Sequence, residues 1–276
     1  MVAFDVPYGV GRTALGMARV LADENGRPDR LFSDPYAQAF VVAAPGALPG
    51  GGVAGNGDPM AGVVHAAVVR TRFFDDFLMD SCVSGYRQVV LVAAGLDTRA
   101  YRLPWPAGVS LFEMDLPAVL AFKEQVLTST DAVPRCHRVA VPVDLREDWP
   151  SQLVTAGFQP AAPTVWLLEG LLIYLTADEA TTLLRAVTGL SAAASRLGCE
   201  RQASDTRQRP SDPVTPRLAQ FTGMWKGGLG RALPQWLTQH GWQVRVEDRD
   251  PIADAYGRPS PVPSDGGYLI SVRADV

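Results

Sequence analysis

Gln88-Val-Val-Leu-Val-Ala-Ala-Gly-Leu-Asp-Thr-Arg-Ala-Tyr-Arg-Leu103 carries the strongest structural signal in this chain of 276 residues. Its first part is almost entirely apolar and predicts a buried strand, Gln88–Ala93. Gly95 falls in the turn that follows, before the expected start of a helix. In open α/β sheets ligands bind at the carboxyl ends of strands, and a glycine there lets a ligand approach the backbone closely. The stretch therefore predicts a ligand-binding turn at Ala93–Arg99.

Outward from this turn, apolar runs alternate with amphipathic segments. The runs that predict buried strands are Gln88–Ala93, Val109–Glu113, Val139–Val143, Thr164–Leu168 and Arg196–Cys199. The segments that predict helices are Val63–Met79, Pro117–Leu127, Glu147–Ala156 and Ala177–Ala193. Thr176 and Glu179 have the spacing of a capping box at the start of the last helix. Repeated strand–helix units with continuous apolar strands predict a parallel sheet covered by helices on both faces.

The ends of the chain differ from this middle part. We expect one domain over residues 1–276, with a helical lid and loop at 1–60 and a ligand-binding core at 61–201. The lid would contain helices at Thr13–Ala22 and Tyr36–Val42. Residues 202–230 are rich in Arg, Pro, Ser and Gly and are interpreted as an insertion over the site. In residues 231–276, alternating apolar side chains predict a terminal antiparallel strand pair.

Composition excludes several classes of function. Lys and Arg total 25 against 29 Asp and Glu, a net charge of −4, so no basic field is available to bind a nucleic acid. No apolar run approaches the roughly 18 residues of a membrane span. The first residues lack the pattern of a signal peptide, so we expect a cytoplasmic protein with reduced cysteines. None of the three histidines has metal-ligand spacing, and we expect no metal requirement.

Acidic residues follow three of the predicted strands. Asp115 is placed to accept bonds from both hydroxyls of a ribose, and Asp144 to accept from an adenine amino group. The alternative for each is a helix N-cap. Glu169 ends the fourth strand, at the middle of the sheet, where a carboxylate can bind an ammonium group. The GxGxxG fingerprint of dinucleotide sites is absent, which disfavours a nicotinamide oxidoreductase.

Several motifs in order along the chain resemble the leucine carboxyl methyltransferase family, in particular its actinobacterial branch of secondary-metabolite O-methyltransferases. The segments that carry the resemblance are Thr13–Gly16, Leu31–Tyr36, Arg70–Asp76, Ala94–Arg102, Glu113–Pro117, Asp144–Arg146, Glu169–Tyr174, Trp225–Gly228 and Tyr256–Pro259. The resemblance implies a class I methyltransferase fold, a Rossmann-like α/β sheet of seven strands with the last one antiparallel. It also implies S-adenosyl-L-methionine as cofactor.

By the same resemblance, a set of residues falls at cofactor positions. These residues are Ala93, Gly95, Asp115, Leu116, Asp144, Leu145 and Glu169. Ala93 stands where the family usually has a glycine. An arginine of the preceding helix binds the methionine carboxylate in this family; Arg70 is the first choice here and Arg72 the second, because a guanidinium meets a carboxylate with two bonds.

The acceptor is the least determined part of the prediction. We expect a small organic acid or phenol, of an aromatic polyketide type, with His65 and Tyr174 as candidate catalytic residues. Phe73, Phe221, Met224 and Trp225 add aromatic and apolar surface near the expected mouth of the site. The alternatives are a protein C-terminal carboxylate as acceptor and a non-catalytic S-adenosylmethionine-binding protein. The oligomeric state is not predicted.

Overall fold

The computed structural model describes residues 11–46, 61–201, 223–261 and 264–274. Seven strands form one sheet in the order β3-β2-β1-β4-β5-β7-β6. Their bounds are β1 Gln88–Val92, β2 Ser110–Asp115, β3 His137–Pro142, β4 Thr164–Leu168, β5 Arg196–Arg201, β6 Trp242–Asp248 and β7 Gly267–Arg273. Strands β1 to β5 are parallel, whereas β7 lies between β5 and β6 and is antiparallel to both. The predicted seven-stranded α/β sheet with its last strand antiparallel is confirmed.

Helices occupy the connections between the strands. Their bounds are α1 Gly11–Asn25, α2 Ala37–Ala43, α3 Ala61–Val83, α4 Arg99–Arg102, α5 Pro117–Ser129, α6 Trp149–Thr155, α7 Ala177–Gly189, α8 Leu233–Gln239 and α9 Arg249–Ala255. The predicted capping box of α7 is present, since Thr176 accepts from the backbone N–H of Glu179 and the Glu179 side chain accepts from that of Thr176. It fixes where the helix begins, immediately after the loop that follows β4.

The burial of the central strands explains why they appear in the sequence as continuous apolar runs. Every residue of β1 and β4 is buried, because each strand has neighbours on both sides and helices on both faces. Val89 and Leu91 pack into one hydrophobic cluster, and Val90 and Val92 pack into another on the opposite face. Burial of each such side chain stabilises the fold by about 1.5–3 kcal/mol. An uninterrupted apolar run is the consequence.

The third strand corrects the expectation of a buried strand at Val139–Val143. The strand runs over His137–Pro142, and most of its side chains are exposed or half-buried, because β3 is an edge strand paired only with β2. Two helices are also shorter than predicted. Helix α6 starts at Trp149, after the N-cap residue Asp148, and α7 ends at Gly189 rather than Ala193. Glycine is a poor helix former, which favours an end there.

The N-terminal helices pack against the sheet edge where the predicted binding turn lies. The side chain of Thr98, within that turn, donates to Asp34 at 2.8 Å, and Asp34 precedes α2. Arg258, near the end of the chain, pairs at 3.0 Å with Glu24 of α1. Residues 47–60 of the expected lid and loop region, and most of the insertion at 202–230 including Phe221, lie outside the described residues. No helix in the described parts of the chain is long and apolar enough to span a bilayer.

Candidate active site

A cavity of about 1890 Å³ opens at the carboxyl edge of the parallel strands, beneath helix α1. The turn after β1 and the residues that follow β2, β3 and β4 form part of its wall. Residues of β5, β7 and α9 form another part, and α1, α3 and α7 also contribute. Small-molecule sites have volumes of about 300–1,000 Å³. This cavity therefore has room for two molecules side by side.

The turn after β1 has an unusual backbone. Both Ala93 and Gly95 lie in the left-handed region, with φ of 57° and 53°. A Cβ atom at position 95 would lie 3.3 Å from the Cβ of Ala14 on α1, tighter than an ordinary contact. Gly95 therefore suits both the conformation and the close approach of the lid helix. Ala93 adopts the same conformation with a side chain, which costs about 1–2 kcal/mol.

Asp115 ends β2 directly beside this turn. Its carboxylate accepts from the backbone N–H of Gly95 at 2.6 Å and from that of Leu116 at 2.7 Å. Burial raises the pKa of Asp115, and the two N–H groups oppose that shift. The N-cap of α5 is Leu116, without a side-chain cap, so Asp115 does not cap the helix. Both residues line the cavity, and the ribose role of Asp115 stays a prediction.

Asp144 and Leu145 line the cavity after β3. The Asp144 carboxylate accepts from Arg146, and this hydrogen bond lowers the pKa of Asp144 to about 2. Asp148, not Asp144, caps α6 by accepting from the backbone N–H of Ser151. The cap alternative for Asp144 is therefore wrong, and its carboxylate is ionised at neutral pH.

Glu169 follows β4 and is held between two arginines. Its Oε1 accepts from Nε of Arg70 at 2.7 Å, and its Oε2 accepts from Arg99 at 2.7 Å. Arg70 also donates at 2.7 Å to Glu200, which follows Cys199 in β5. Burial lowers the pKa of Arg70, but Glu200 and Glu169 outweigh it and raise that pKa above its ordinary value. The centre of the edge thus presents fixed charges of both signs.

Arg99 ties the binding turn to helix α3. It is 3% exposed and pairs with Asp75 of α3 and with Asp97 of the turn as well as with Glu169. Asp75 also receives two bonds from Arg102, at 2.6 and 2.7 Å. Because such charges are costly to bury unpaired, the set fixes the position of the turn relative to α3.

Two predicted site residues lie outside the cavity wall. Arg72 donates to Asp76 at 3.0 Å and to the carbonyl of Leu31 at 2.9 Å, whereas Arg70, about half a turn away on α3, faces the cavity. The His65 ring contacts the carbonyl of Arg258 at 2.8 Å. Neither Arg72 nor His65 is among the described residues that line the cavity. Their expected roles at the cofactor and the acceptor stay predictions that these positions do not support.

Tyr174 lines the cavity from the loop after β4. It ends a 3₁₀ turn, Leu172–Tyr174, that follows Gly170 in the left-handed region at φ 65°. The segment Lys226–Gly228 attaches to this loop through backbone bonds to the carbonyls of Ile173 and Leu175. Trp225 also lines the cavity. The end of the predicted insertion thus contributes to the site.

Sequence reasoning gave no role to Arg99 or Glu200. Arg99 stands in the quoted motif, but its partners Asp75 and Glu169 are distant along the chain. Glu200 occurs near the end of a strand, as Asp115 does, and the same rule applied to β5 would have selected it. Among the described residues, no group of three or more His, Cys, Asp or Glu side chains is arranged to hold a metal ion. The absence of a metal requirement stays a prediction.

The family of this chain follows from comparison with known proteins. A family model described as leucine carboxyl methyltransferase matches residues 14–188, more than half of the chain. A protein of Parafrankia sp. (strain EAN1pec) is 50% identical over 275 residues, covering 96% of this chain and 88% of the relative. One of Frankia alni is 51% identical over 271 residues, covering 98% and 96%. The names of both provisionally assign them S-adenosyl-L-methionine-dependent methyltransferase activity.

Solved structures are similar in fold. A structure from Thermobifida fusca YX, described provisionally as a methyltransferase, has a TM-score of 0.56 at 18% identity and covers 94% of each chain. The CurJ carbon methyltransferase has a TM-score of 0.52 at 17% identity, covering 75% of this chain and 56% of that one. At these identities the likeness concerns the fold alone. The sheet has the class I methyltransferase arrangement, and the chain belongs to the leucine carboxyl methyltransferase family.

Proposed function

We propose that this protein is an S-adenosylmethionine-dependent O-methyltransferase that acts on a carboxylate or phenol of a small, aromatic polyketide-type metabolite. One observation carries the proposal: Arg70 and Glu169 present a cation and an anion side by side at the end of β4, joined at 2.7 Å. An amino-acid zwitterion, such as the methionine part of the cofactor, complements this arrangement. Methyltransferase activity with this cofactor also agrees with the assignments of the relatives.

The described residues fit the amino-acid end of the cofactor. Each oxygen of Glu169 accepts one bond from an arginine, and because a carboxylate oxygen has two lone pairs, capacity remains for an ammonium group. Arg70 uses Nε and one terminal nitrogen for Glu169 and Glu200, while among the described residues its other terminal nitrogen donates only to the Met17 sulfur, at 3.7 Å. That nitrogen is the one we assign to the methionine carboxylate.

The nucleoside end extends along the neighbouring strands. Asp115 would receive the ribose hydroxyls, since its oxygens already face the turn after β1. Asp144 would receive the adenine amino group, and Leu145 would pack on the ring; both line the cavity. Gly95 gives the cofactor close access to the backbone of the turn. These positions form one continuous track from β4 to β3.

The bound cofactor supplies an activated methyl group on a sulfonium with a good leaving group. The chain has to hold the acceptor oxygen against that methyl and exclude water. Helix α1 contributes to water exclusion, because its residues from Thr13 to Leu21 form part of the cavity wall. A carboxylate acceptor is ionised at neutral pH and needs no base, whereas a phenol, with a pKa of about 10, benefits from one. We therefore rank a carboxylate first.

The proposal is tested by turnover with methyl-labelled S-adenosylmethionine and a panel of aromatic acids and phenols. A methyl ester releases methanol in mild alkali, and an aryl methyl ether does not. We expect label in an alkali-labile product. Label that survives alkali would indicate a phenol acceptor. Cofactor binding with no transfer to any acid, phenol or peptide C-terminus would instead support the non-catalytic alternative.

A further inference from the structure

The cavity has a second half that the proposed cofactor track does not use. The track covers the ends of β3, β2, β1 and β4, which are neighbours in the sheet. On the other side of β4, the sheet continues with β5, β7 and β6. Several polar side chains of this second half line the cavity, and those on β5, β7 and α9 that carry a hydroxyl or guanidinium donor are Arg201, Tyr268 and Arg249. The acidic side chains of Glu200 and Asp265 line it as well. With the cofactor on this track, the second half is the space left for the acceptor.

Tyr268 is rigidly held and carries a buried hydroxyl. It pairs with Glu200 across β5 and β7, so both side chains lie on the same face of the sheet. Its ring stacks on Phe73 with a centroid distance of 4.2 Å, and the residue is 2% exposed. The hydroxyl has no hydrogen-bond partner among the residues that the structure describes. Because burial raises the pKa of Tyr268, the phenol is protonated and can donate.

Arg249 supplies a second donor beside it. Its backbone N–H donates to the carbonyl of Gly266 at 3.1 Å, which holds the start of α9 against the start of β7. The buried Nε of Arg249 has no partner within the described part of the chain. In the register of β6 and β7, Asp248 pairs with Gly267, so Arg249 follows directly beside the start of the strand that carries Tyr268. Arg249, Arg70 and Tyr268 all line the cavity. Arg70 is already bonded to Glu169 and Glu200.

We propose that the Tyr268 hydroxyl and the Arg249 guanidinium form the anchor for a carboxylate of the acceptor. This inference rests on the proposed O-methyltransferase function and names the residues that bind its acceptor. Two donors on the same half of the cavity wall complement an anion, and the neighbouring carboxylate of Glu200 already accepts from Arg70 and from the backbone N–H of Gly170, each at 2.7 Å. A neutral amide or alcohol of the same shape gains less from a cation.

The anchor is compatible with the chemistry of transfer. One carboxylate oxygen accepts from Tyr268 and Arg249, and the other forms the new bond to the methyl carbon. The carbon–sulfur bond breaks at the same time, and its electron pair stays on sulfur. The acceptor is already ionised, so no proton has to be removed. Tyr268 and Arg249 therefore act by binding and orienting the acceptor.

The test uses the full chain saturated with S-adenosylhomocysteine and titrated with matched acids and amides: benzoate and benzamide, 2-naphthoate and 2-naphthamide, decanoate and decanamide. We expect at least one acid to bind roughly tenfold or more tighter than its amide, the ratio for a hydrogen bond to a charged group. Tyr268→Phe keeps the ring stack, and Arg249→Gln keeps most of the side-chain volume. Each should abolish most of that preference while leaving S-adenosylhomocysteine affinity unchanged.

Two variants serve as matched controls. Tyr256→Phe removes a hydroxyl that bonds to Asp76, outside the cavity wall, and Arg245→Gln removes an exposed cation of β6. Both should retain the acid preference. The inference is overturned if no acid is preferred over its amide, or if Tyr268→Phe and Arg249→Gln weaken the cofactor product instead. Failure of the proposed function is distinguishable, since acid binding would then persist without any labelled product in the turnover assay.

Discussion

The carboxylates of the cofactor half of the cavity and two donors of its acceptor half differ in whether the protein itself satisfies them. In the cofactor half, over β3 to β4, the Asp115, Asp144 and Glu169 carboxylates all have partners within the protein. In the acceptor half, over β5 to β6, buried atoms of Tyr268 and Arg249 have none among the described residues. A preorganised site is held by its own bonds, whereas unsatisfied buried donors need an acceptor from elsewhere. The comparison predicts that the cofactor binds over β3 to β4 and that the acceptor binds over β5 to β6.

The largest expected effect is a difference in the free energy of unfolding between a variant of the cofactor half and a variant of the acceptor half. Arg70→Ala leaves Glu169 and Glu200 without their shared cation in a largely buried site, and we expect a loss of about 3–5 kcal/mol in the free energy of unfolding. Arg249→Ala removes a cation whose Nε bonds to no described residue and should cost less than about 1 kcal/mol. Urea denaturation measures both. Equal losses would contradict the distinction between the halves.

The second effect concerns the contribution of an α3 side chain to cofactor affinity. Arg70→Lys keeps the charge but cannot reproduce a guanidinium with three partners, so S-adenosylhomocysteine affinity should fall by about 1.5–3 kcal/mol, the range for a hydrogen bond to a charged group. Arg72→Lys is the matched control, because Arg72 pairs with Asp76 away from the cavity. Calorimetry should show that Arg72→Lys binds S-adenosylhomocysteine with the affinity of the unmodified chain. If Arg72→Lys weakens S-adenosylhomocysteine binding and Arg70→Lys does not, Arg72 rather than Arg70 binds the methionine carboxylate.

The third effect tests the strained turn of the cofactor half. Ala93 has φ of 57°, so Ala93→Gly relieves strain of about 1–2 kcal/mol and adds about 0.5–1 kcal/mol of unfolded-state entropy. We expect a net gain of up to about 1 kcal/mol, seen as a higher Tm. Ala94 has no positive φ, so Ala94→Gly should only destabilise. If both variants lower Tm alike, the turn is not strained at position 93.

The smallest effect concerns the exposed end of the cofactor half. Arg146 lowers the pKa of Asp144 from 3.8 to about 2 through a side-chain hydrogen bond. Since the folded pKa is lowered, this pair stabilises the fold above the ordinary pKa and ceases to do so as pH falls from 3.8 towards 2. In Arg146→Gln, NMR titration should show the Asp144 pKa moving back towards its ordinary value. An unchanged pKa would mean that Arg146 is not its cause.

The sequence predicted the cofactor half better than the acceptor half for physical reasons. Strands β1 and β4 are buried on both faces, so their apolar runs and the residues that follow them stand out. Edge strand β3 is largely exposed, so the prediction of a buried strand there is wrong. The antiparallel order of β5, β7 and β6 brings Tyr268 and Arg249 to the same half of the cavity, a long-range arrangement that no local spacing encodes. The positions of His65 and Arg72 were equally hard to predict, because the rotation of α3 about its axis determines which of its side chains face the cavity.

The most direct test of this division is one titration of S-adenosylhomocysteine into three proteins: the unmodified chain, Asp115→Asn and Tyr268→Phe. We expect micromolar binding to the unmodified chain, at least tenfold weaker binding to Asp115→Asn, and unchanged binding to Tyr268→Phe, since a lost bond to a charged group costs about 1.5–3 kcal/mol. Asp115 faces the turn after β1, and Tyr268 lies across β4 from it. No binding by the folded unmodified chain, or equal weakening of both variants, would contradict the account.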